Sequence, residues 1–273
     1  MFKTHESGAS SARWTRWPLL RRMAATFLPA RRRAPLLTAS AELRALFPQL
    51  PVYALPRLAQ PPAGPQALAG YAALGAGAEL HQAYVGAMQA LGAHTATGQV
   101  WLVASAHPGA GGACTAAALA GLCAAHARRV VLVDADLRRR HLYAAFGASP
   151  QPGLAEVLQH DAAWPQALTP LAAQGFLLLP AGAAPLEPGA LAQPALSAML
   201  AATLAELRGY YDLVLVSLPA PALAATGLSA QADRTLVVMQ QGHTPLAACT
   251  EPLGAAHAEA HATCAVVVEG MAL

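Results

Sequence analysis

The chain has 273 residues, of which 55% are hydrophobic and 11% charged, with a formal charge of +3. That is enough apolar material for a sizeable buried core, which excludes a short peptide and a highly charged disordered protein. Residues 1–33 hold Lys3, the only lysine, and seven arginines against Glu6, a local +7 that leaves −4 on the other 240 residues. A nucleic-acid binder spreads basic residues over the folded face that meets phosphate, so no nucleic-acid partner is expected.

Residues 1–35 lack the apolar stretch and small-residue cleavage site of a secretory signal. They read as a basic, solvated arm, or alternatively as a peripheral contact that lays arginines, Trp14 and Trp17 on an anionic membrane surface. Residues 36–97 form a helical and linker segment. It contains a predicted helix from Ala39 to Phe47, a brief strand from Val52 to Leu55, a Pro/Gly/Ala linker over 58–77, and a helix from Glu79 to Leu91. Cys114, Cys123, Cys249 and Cys264 form no C-x-x-C pair, so a zinc ribbon or dense disulfide framework is not indicated. No uninterrupted apolar stretch has the length of a membrane helix, and a cytoplasmic location, extending to the inner face of the cell membrane, is expected.

The main domain spans 98–273. Continuous apolar runs at 99–104, 130–134, 176–180, 211–217, 235–239 and 264–268 alternate with alanine-rich helical stretches. Runs without polar alternation suit strands covered on both faces, which predicts an α/β fold with a doubly wound, mostly parallel sheet. Ligands of such sheets bind beyond the carboxyl ends of the strands. After the first run come Pro108, Gly109, Ala110, Gly111, Gly112, Ala113, Cys114 and Thr115, leading into a predicted helix from Ala116 to Ala127. Strand, glycine-rich turn and helix is the setting of a phosphate-binding loop, although a glycine turn serving only chain reversal has the same composition.

The second run ends in Asp134-Ala-Asp136-Leu-Arg138-Arg139-Arg140. It is followed by Phe146-Gly147, Gly153-Leu-Ala-Glu156, Leu179-Pro-Ala-Gly182 and Tyr211-Asp212-Leu-Val-Leu-Val216. In this order the motifs resemble the cytoplasmic domain of bacterial tyrosine kinases (BY-kinases) of capsule and exopolysaccharide systems, relatives of the MinD/ParA P-loop ATPases. The resemblance covers about 99–269, and more loosely 36–91. It implies a P-loop NTPase-like fold, ATP and Mg²⁺ at the loop, and autophosphorylation of a C-terminal tyrosine cluster. It also implies, as partners, a membrane chain-length determinant protein or an intact BY-kinase, with homo-oligomers in prospect.

Several positions depart from the family pattern. The lysine position of the loop is Gly112, the following serine or threonine is Ala113, and the Walker B aspartate is Ser217. Glu269 stands where the base-contacting asparagine is expected, and tyrosines lie only at 53, 71, 84, 143, 210 and 211. The assembly motif Glu-x-x-Arg-x-x-Arg, aligned on Glu79, meets Gln82 and Val85. Asp134 and Asp136 remain as the catalytic pair of an active enzyme, with Asp136 as metal ligand, and Arg138 and Arg139 as phosphate or partner contacts.

The expected reading is a pseudoenzyme with a vestigial loop and weakened or lost ATP and Mg²⁺ binding. It would support exopolysaccharide or capsule synthesis by docking. The alternatives are an active ATP-dependent protein-tyrosine kinase and a MinD-like membrane-associated positioning ATPase. Two further patterns carry less. His257 and His261 have the spacing of a metal-binding helix face, but Ala258 occupies the glutamate position of H-E-x-x-H, and Ser105 and Ser217 lack a G-x-S-x-G elbow.

Overall fold

The computed structural model describes residues 36–37, 39–56, 78–92, 98–140, 142–172, 174–187, 189–259 and 263–269. The basic arm, the linker at 58–77 and His261 lie outside the described residues. In chain order the elements are α1 (Ser40–Leu46), β1 (Val52–Pro56), α2 (Ala78–Ala90), β2 (Gln99–Ser105), α3 (Gly112–Ala125), β3 (Val130–Asp134), α4 (Leu142–Ala145), α5 (Leu154–Leu158) and α6 (Trp164–Ala167). Then come β4 (Thr169–Leu171), β5 (Phe176–Leu179), α7 (Pro194–Tyr210), β6 (Leu213–Pro219), α8 (Ala220–Thr226), β7 (Arg234–Gln240), α9 (Leu246–Glu259) and β8 (Thr263–Glu269).

Eight strands make one sheet in the order β1-β8-β7-β2-β6-β3-β5-β4, parallel except for the β4–β5 pair. The doubly wound α/β reading therefore holds. The long apolar runs became its interior strands: β3 is buried at every residue, and β2 and β6 at all but their last. Burial on both faces removes the pressure for alternation, which is why those runs are continuous.

Helix α3 shows how the alanine content is used. Its Thr115 to Cys123 stretch is buried all round, because one side lies on β2, β3 and β6 and the other is covered by α2. A helix apolar on every face belongs in such a layer. Alanines at 116, 117 and 120 let it come close to the sheet, and Cys123 and Met88 of α2 bring their sulfurs to 3.3 Å. Opposite, α7 and α8 pack on β2 and β6, and α9 on β7 and β8.

The short run at 52–55 is an edge strand of this same sheet: β1 pairs in parallel with β8, Val52 opposite Ala265. Arg44 of α1 donates to Val52 O at 3.1 Å, placing a cation on the outer edge. At the other edge β4 carries Pro170, which cannot donate to a ladder and so suits an edge. Three residues without an apolar run left no signal for β4 in the sequence.

The amino end of the sheet is closed by charge. Asp212, just before β6, accepts from Arg129 through N–H at 2.9 Å and guanidinium at 2.8 Å. Asp233, just before β7, accepts from Val100 N–H at 2.8 Å and pairs with Arg208 at 3.3 Å, while Arg208 Nε donates to Gly98 O. Strand starts on β2, β3, β6 and β7 are thereby held in mutual position.

Candidate functional site at the carboxyl end of the sheet

Strand β2 runs through the middle of the sheet, between β7 and β6, and the glycine-rich loop leaves from its carboxyl end. The loop begins with Ala106 N–H bonded to Val238 O at 3.0 Å and turns where Ala110 N–H meets His107 O at 3.1 Å. Gly109 and Gly111 have φ of 89° and 92°, in the left-handed region open to glycine. The reversal at Gly111 starts α3 at Gly112, one turn before the expected Ala116, since nothing in the small residues that follow opposes an early start. Thr115 N–H already bonds to Gly111 O at 2.9 Å. Pro108 and Gly109 are exposed, Ala113 and Cys114 half-buried, and Ala110, Gly112 and Thr115 buried. Burial also pushes the Cys114 thiol pKa up, away from thiolate reactivity.

Three side chains from neighbouring strands share the face of the sheet that lies toward α3, at its carboxyl end. Residues 103, 132 and 215 point toward α3, and so, two positions on in each strand, do Ser105, Asp134 and Ser217. Asp134 and Ser217 are direct partners across β3 and β6, and Ala135 N–H donates to Ser217 O at 2.8 Å. Asp134 is 1% exposed, and burial raises its pKa from 3.8 to about 7 against the opposing pull of N–H donors from Asp136 and Leu142. At Gly112 a Cβ would collide with Ser105 Oγ, and Ser105 Cα and Cβ would lie 3.3 Å away. Any side chain at position 112 therefore requires the serine hydroxyl to turn aside.

Past Asp134 the chain makes a tight turn. Asp136, half-buried, accepts Arg139 N–H on its carboxylate at 3.1 Å and Arg140 N–H on its carbonyl at 3.0 Å. Arg138 and Arg139 project from the turn and are exposed. Arg140 is used internally: at φ 51° it donates to Leu137 O at 2.6 Å and Ala184 O at 2.8 Å.

That last bond reaches a clamp the sequence displayed but did not explain. Glu156, in the first turn of α5, accepts N–H groups of Gly153, Ala183 and Ala184 at 2.7–2.9 Å. Burial raises its carboxyl pKa, but these donors outweigh burial and the net shift is downward. Two other residues were missed. His107 Nδ1 contacts Pro108 O at 2.9 Å and Nε2 contacts Thr244 Oγ1 at 2.8 Å. A carbonyl can only accept, so Nδ1 carries a proton, and in the neutral ring Nε2 accepts from the threonine hydroxyl. No spacing in the sequence announces that pair, because 137 residues separate its members.

Of the residues singled out from sequence, the loop, Asp134, Asp136, Arg138 and Arg139 thus share the carboxyl end of the sheet, as does Ser217. His257 lies near the end of α9, away from this group in the chain's order of elements. Among the described residues no three His, Cys, Asp or Glu side chains gather as a metal cluster.

The parallel sheet and its helices form a P-loop NTPase-like fold. No family profile matches the chain. The succinoglycan biosynthesis transport protein ExoP of Rhizobium meliloti is 33% identical over 149 residues, 54% of this chain and 19% of ExoP. The tyrosine-protein kinase YwqD of Bacillus subtilis is 34% identical over 147 residues, 52% of this chain and 60% of YwqD. The kinase domain of the Escherichia coli tyrosine kinase ETK superposes with a TM-score of 0.67 at 19% identity, covering 86% of this chain and 95% of that domain. The chain is thus similar to bacterial tyrosine kinases, as its motifs implied, while the matched stretches span less than two thirds of either curated relative. The cobyrinic acid a,c-diamide synthase of Mycobacterium smegmatis, with ADP and magnesium bound, shares the fold with a TM-score of 0.52 at 23% identity, covering 63% of this chain and 74% of that one. Among the described residues no helix is long and apolar enough to cross a membrane.

Proposed function

We propose that this chain is a non-catalytic relative of the tyrosine kinases that serves exopolysaccharide or capsule biosynthesis by docking to a membrane chain-length determinant protein or to an intact kinase. One observation carries the reading. The loop and Asp134 lie at the carboxyl end of the sheet, and Gly112, Ala113 and Ser217 occupy the positions to which the resemblance gives phosphate charge and Mg²⁺. A methyl group offers no lone pair to Mg²⁺, and a neutral, buried Ser217 supplies no fixed charge to its shell. A lysine at 112 would need Ser105 to give way. The donor set therefore does not suit a magnesium nucleotide. Loss of transition-state charge stabilisation costs roughly 10²–10³ in rate for each missing group. The docking surface would be the carboxyl edge, where Arg138 and Arg139 stand exposed, or the 36–97 segment.

Isothermal titration of the protein with ATP and Mg²⁺ tests this. The expected outcome is no magnesium-dependent binding in the micromolar range and no phosphate release; tight binding with turnover would overturn it. The second reading, an ATP-dependent tyrosine kinase, rests on Asp134 and Asp136. It predicts phosphotyrosine on incubation with ATP, abolished by Asp134→Asn.

A further inference from the structure

The residues just after the basic arm are connected to the loop by an unbroken series of hydrogen bonds. Leu36 makes an isolated antiparallel bridge to Pro245. Leu37, fully buried, donates its N–H to Thr244 O at 2.8 Å, and its carbonyl accepts Gly242 N–H at 2.7 Å. These bonds clasp the turn that follows β7, in which Gly242 takes φ 72° and Thr244 N–H returns to Gln240 O at 2.9 Å. Thr244 is fully buried, so its hydroxyl must find partners within the protein. It has two: Oγ1 accepts Gln240 N–H at 2.7 Å and contacts His107 Nε2 at 2.8 Å. His107 in turn holds the glycine-rich loop from inside, through Pro108 O and through its own carbonyl to Ala110 N–H.

We infer that Leu36–Leu37 is a strap whose seating sets the conformation of the 105–112 loop through Thr244 and His107. The main chain of Thr244 answers to the strap and its side chain answers to the loop, so the two are coupled through one residue. With the strap seated, the Thr244 rotamer is fixed by its two contacts and His107 is pinned. With the strap lifted, the 241–245 turn loses both main-chain bonds to Leu37, the hydroxyl leaves Nε2, and the loop is released. Binding or tension applied to the chain before Leu36 reaches the carboxyl end of the sheet by this route. The device does not depend on whether the loop holds a nucleotide.

Coupling between two sites is reciprocal, which makes the inference testable from either end. Amide hydrogen exchange is measured on the full chain for wild type, His107→Ala and Thr244→Val, with Val100 and Arg129 at the amino end as reference amides. His107 is only half-buried, so His107→Ala is the cleaner variant, while Thr244→Val keeps the shape of Thr but removes the oxygen that accepts Gln240 N–H. The expected result is exchange about five-fold or more faster at Leu37 and Gly242 in His107→Ala, the low end of measured couplings. Thr244→Val accelerates both those amides and Ala110, while Val100 and Arg129 keep their wild-type rates. A Leu37→Pro variant, which removes the strap's donor, accelerates Ala110, and combining it with His107→Ala adds little. Wild-type rates at Leu37 and Gly242 in His107→Ala and Thr244→Val would overturn the strap, as would acceleration that appears equally at Val100 and Arg129.

Discussion

Asp212 and Asp134 stand at opposite ends of two neighbouring strands, and their surroundings shift them in opposite directions. At the amino end the Arg129 side chain, then its backbone N–H, hold the Asp212 carboxyl below its usual value. At the carboxyl end burial dominates and Asp134 rises to about 7. Among the described residues, both ion pairs lie at the amino end. The carboxyl end is held instead by close backbone contacts, by N–H donors converging on Glu156, and by the His107–Thr244 pin. One end of the sheet is thus closed with charge already balanced. The other keeps a buried acid without a cation and two exposed arginines, as expected of the end from which ligands or partners are met.

The largest effect should come from the backbone contact at the carboxyl end. Gly153 lies so close to the 180–182 segment that an added Cβ would meet the Gly182 backbone and sit 2.6 Å from Pro180 O. Leu154 and Ala155 donate to Pro180 O and Ala181 O across the same contact, so neither side can retreat cheaply. Gly153→Ala should cost about 3 kcal/mol or more, read as a lowered midpoint in urea unfolding. Next is Glu156→Ala, which strips three N–H groups of their acceptor and should cost about 2 kcal/mol, tempered by solvent access. Because the folded pKa of Glu156 is lowered, its contribution is present above the ordinary carboxyl range and is lost as pH falls through the folded value. A Glu156→Ala protein that unfolds like wild type would remove the contrast between the two ends.

These expectations rest on residues whose legibility in the sequence differed. The continuous runs and the Asp134-to-Arg140 strand end were readable because burial on both faces and the carboxyl-edge rule act locally along the chain. Gly153, Glu156 and Gly182 were visible as a motif, but not as a clamp: their contact joins α5 to the segment after β5, which no local pattern encodes. β4 was invisible for want of length. The 52–55 run was readable as a strand, whereas its place beside β8 depends on a pairing across more than 200 residues. At the loop, sequence identified the positions lacking a lysine and a hydroxyl. It could not show that the Ser105 hydroxyl stands in the path of a side chain at 112.

At the amino end, Asp212→Asn should destabilise only modestly at neutral pH, less than a buried pair would lose because the Arg129 side chain is 67% exposed. The loss follows from a sign opposite to that of Asp134. A depressed folded pKa contributes stability above the unfolded value, so the variant and wild type should converge as pH falls through the folded pKa of Asp212. Added salt should shrink the difference at neutral pH, since an exposed guanidinium is screened.

The last effect, read as a slope with pH rather than as a loss at one pH, and the sharpest test of the comparison, is Asp134→Asn. With a folded pKa near 7 against 3.8 for the free side chain, the folded state binds a proton that the unfolded chain has released. Between pH 4 and 7 wild-type stability therefore declines as pH rises, with this group's penalty complete above 7 and absent below 4. Asparagine keeps an oxygen to accept Asp136 or Leu142 N–H and carries no charge, so it should remove that slope. Urea midpoints compared at pH 5 and pH 8 should differ less in Asp134→Asn than in wild type, with the variant the more stable of the two at pH 8. Equal pH dependence in both proteins would mean that Asp134 is solvated or paired as Asp212 is, and the two ends of the sheet would no longer differ in kind.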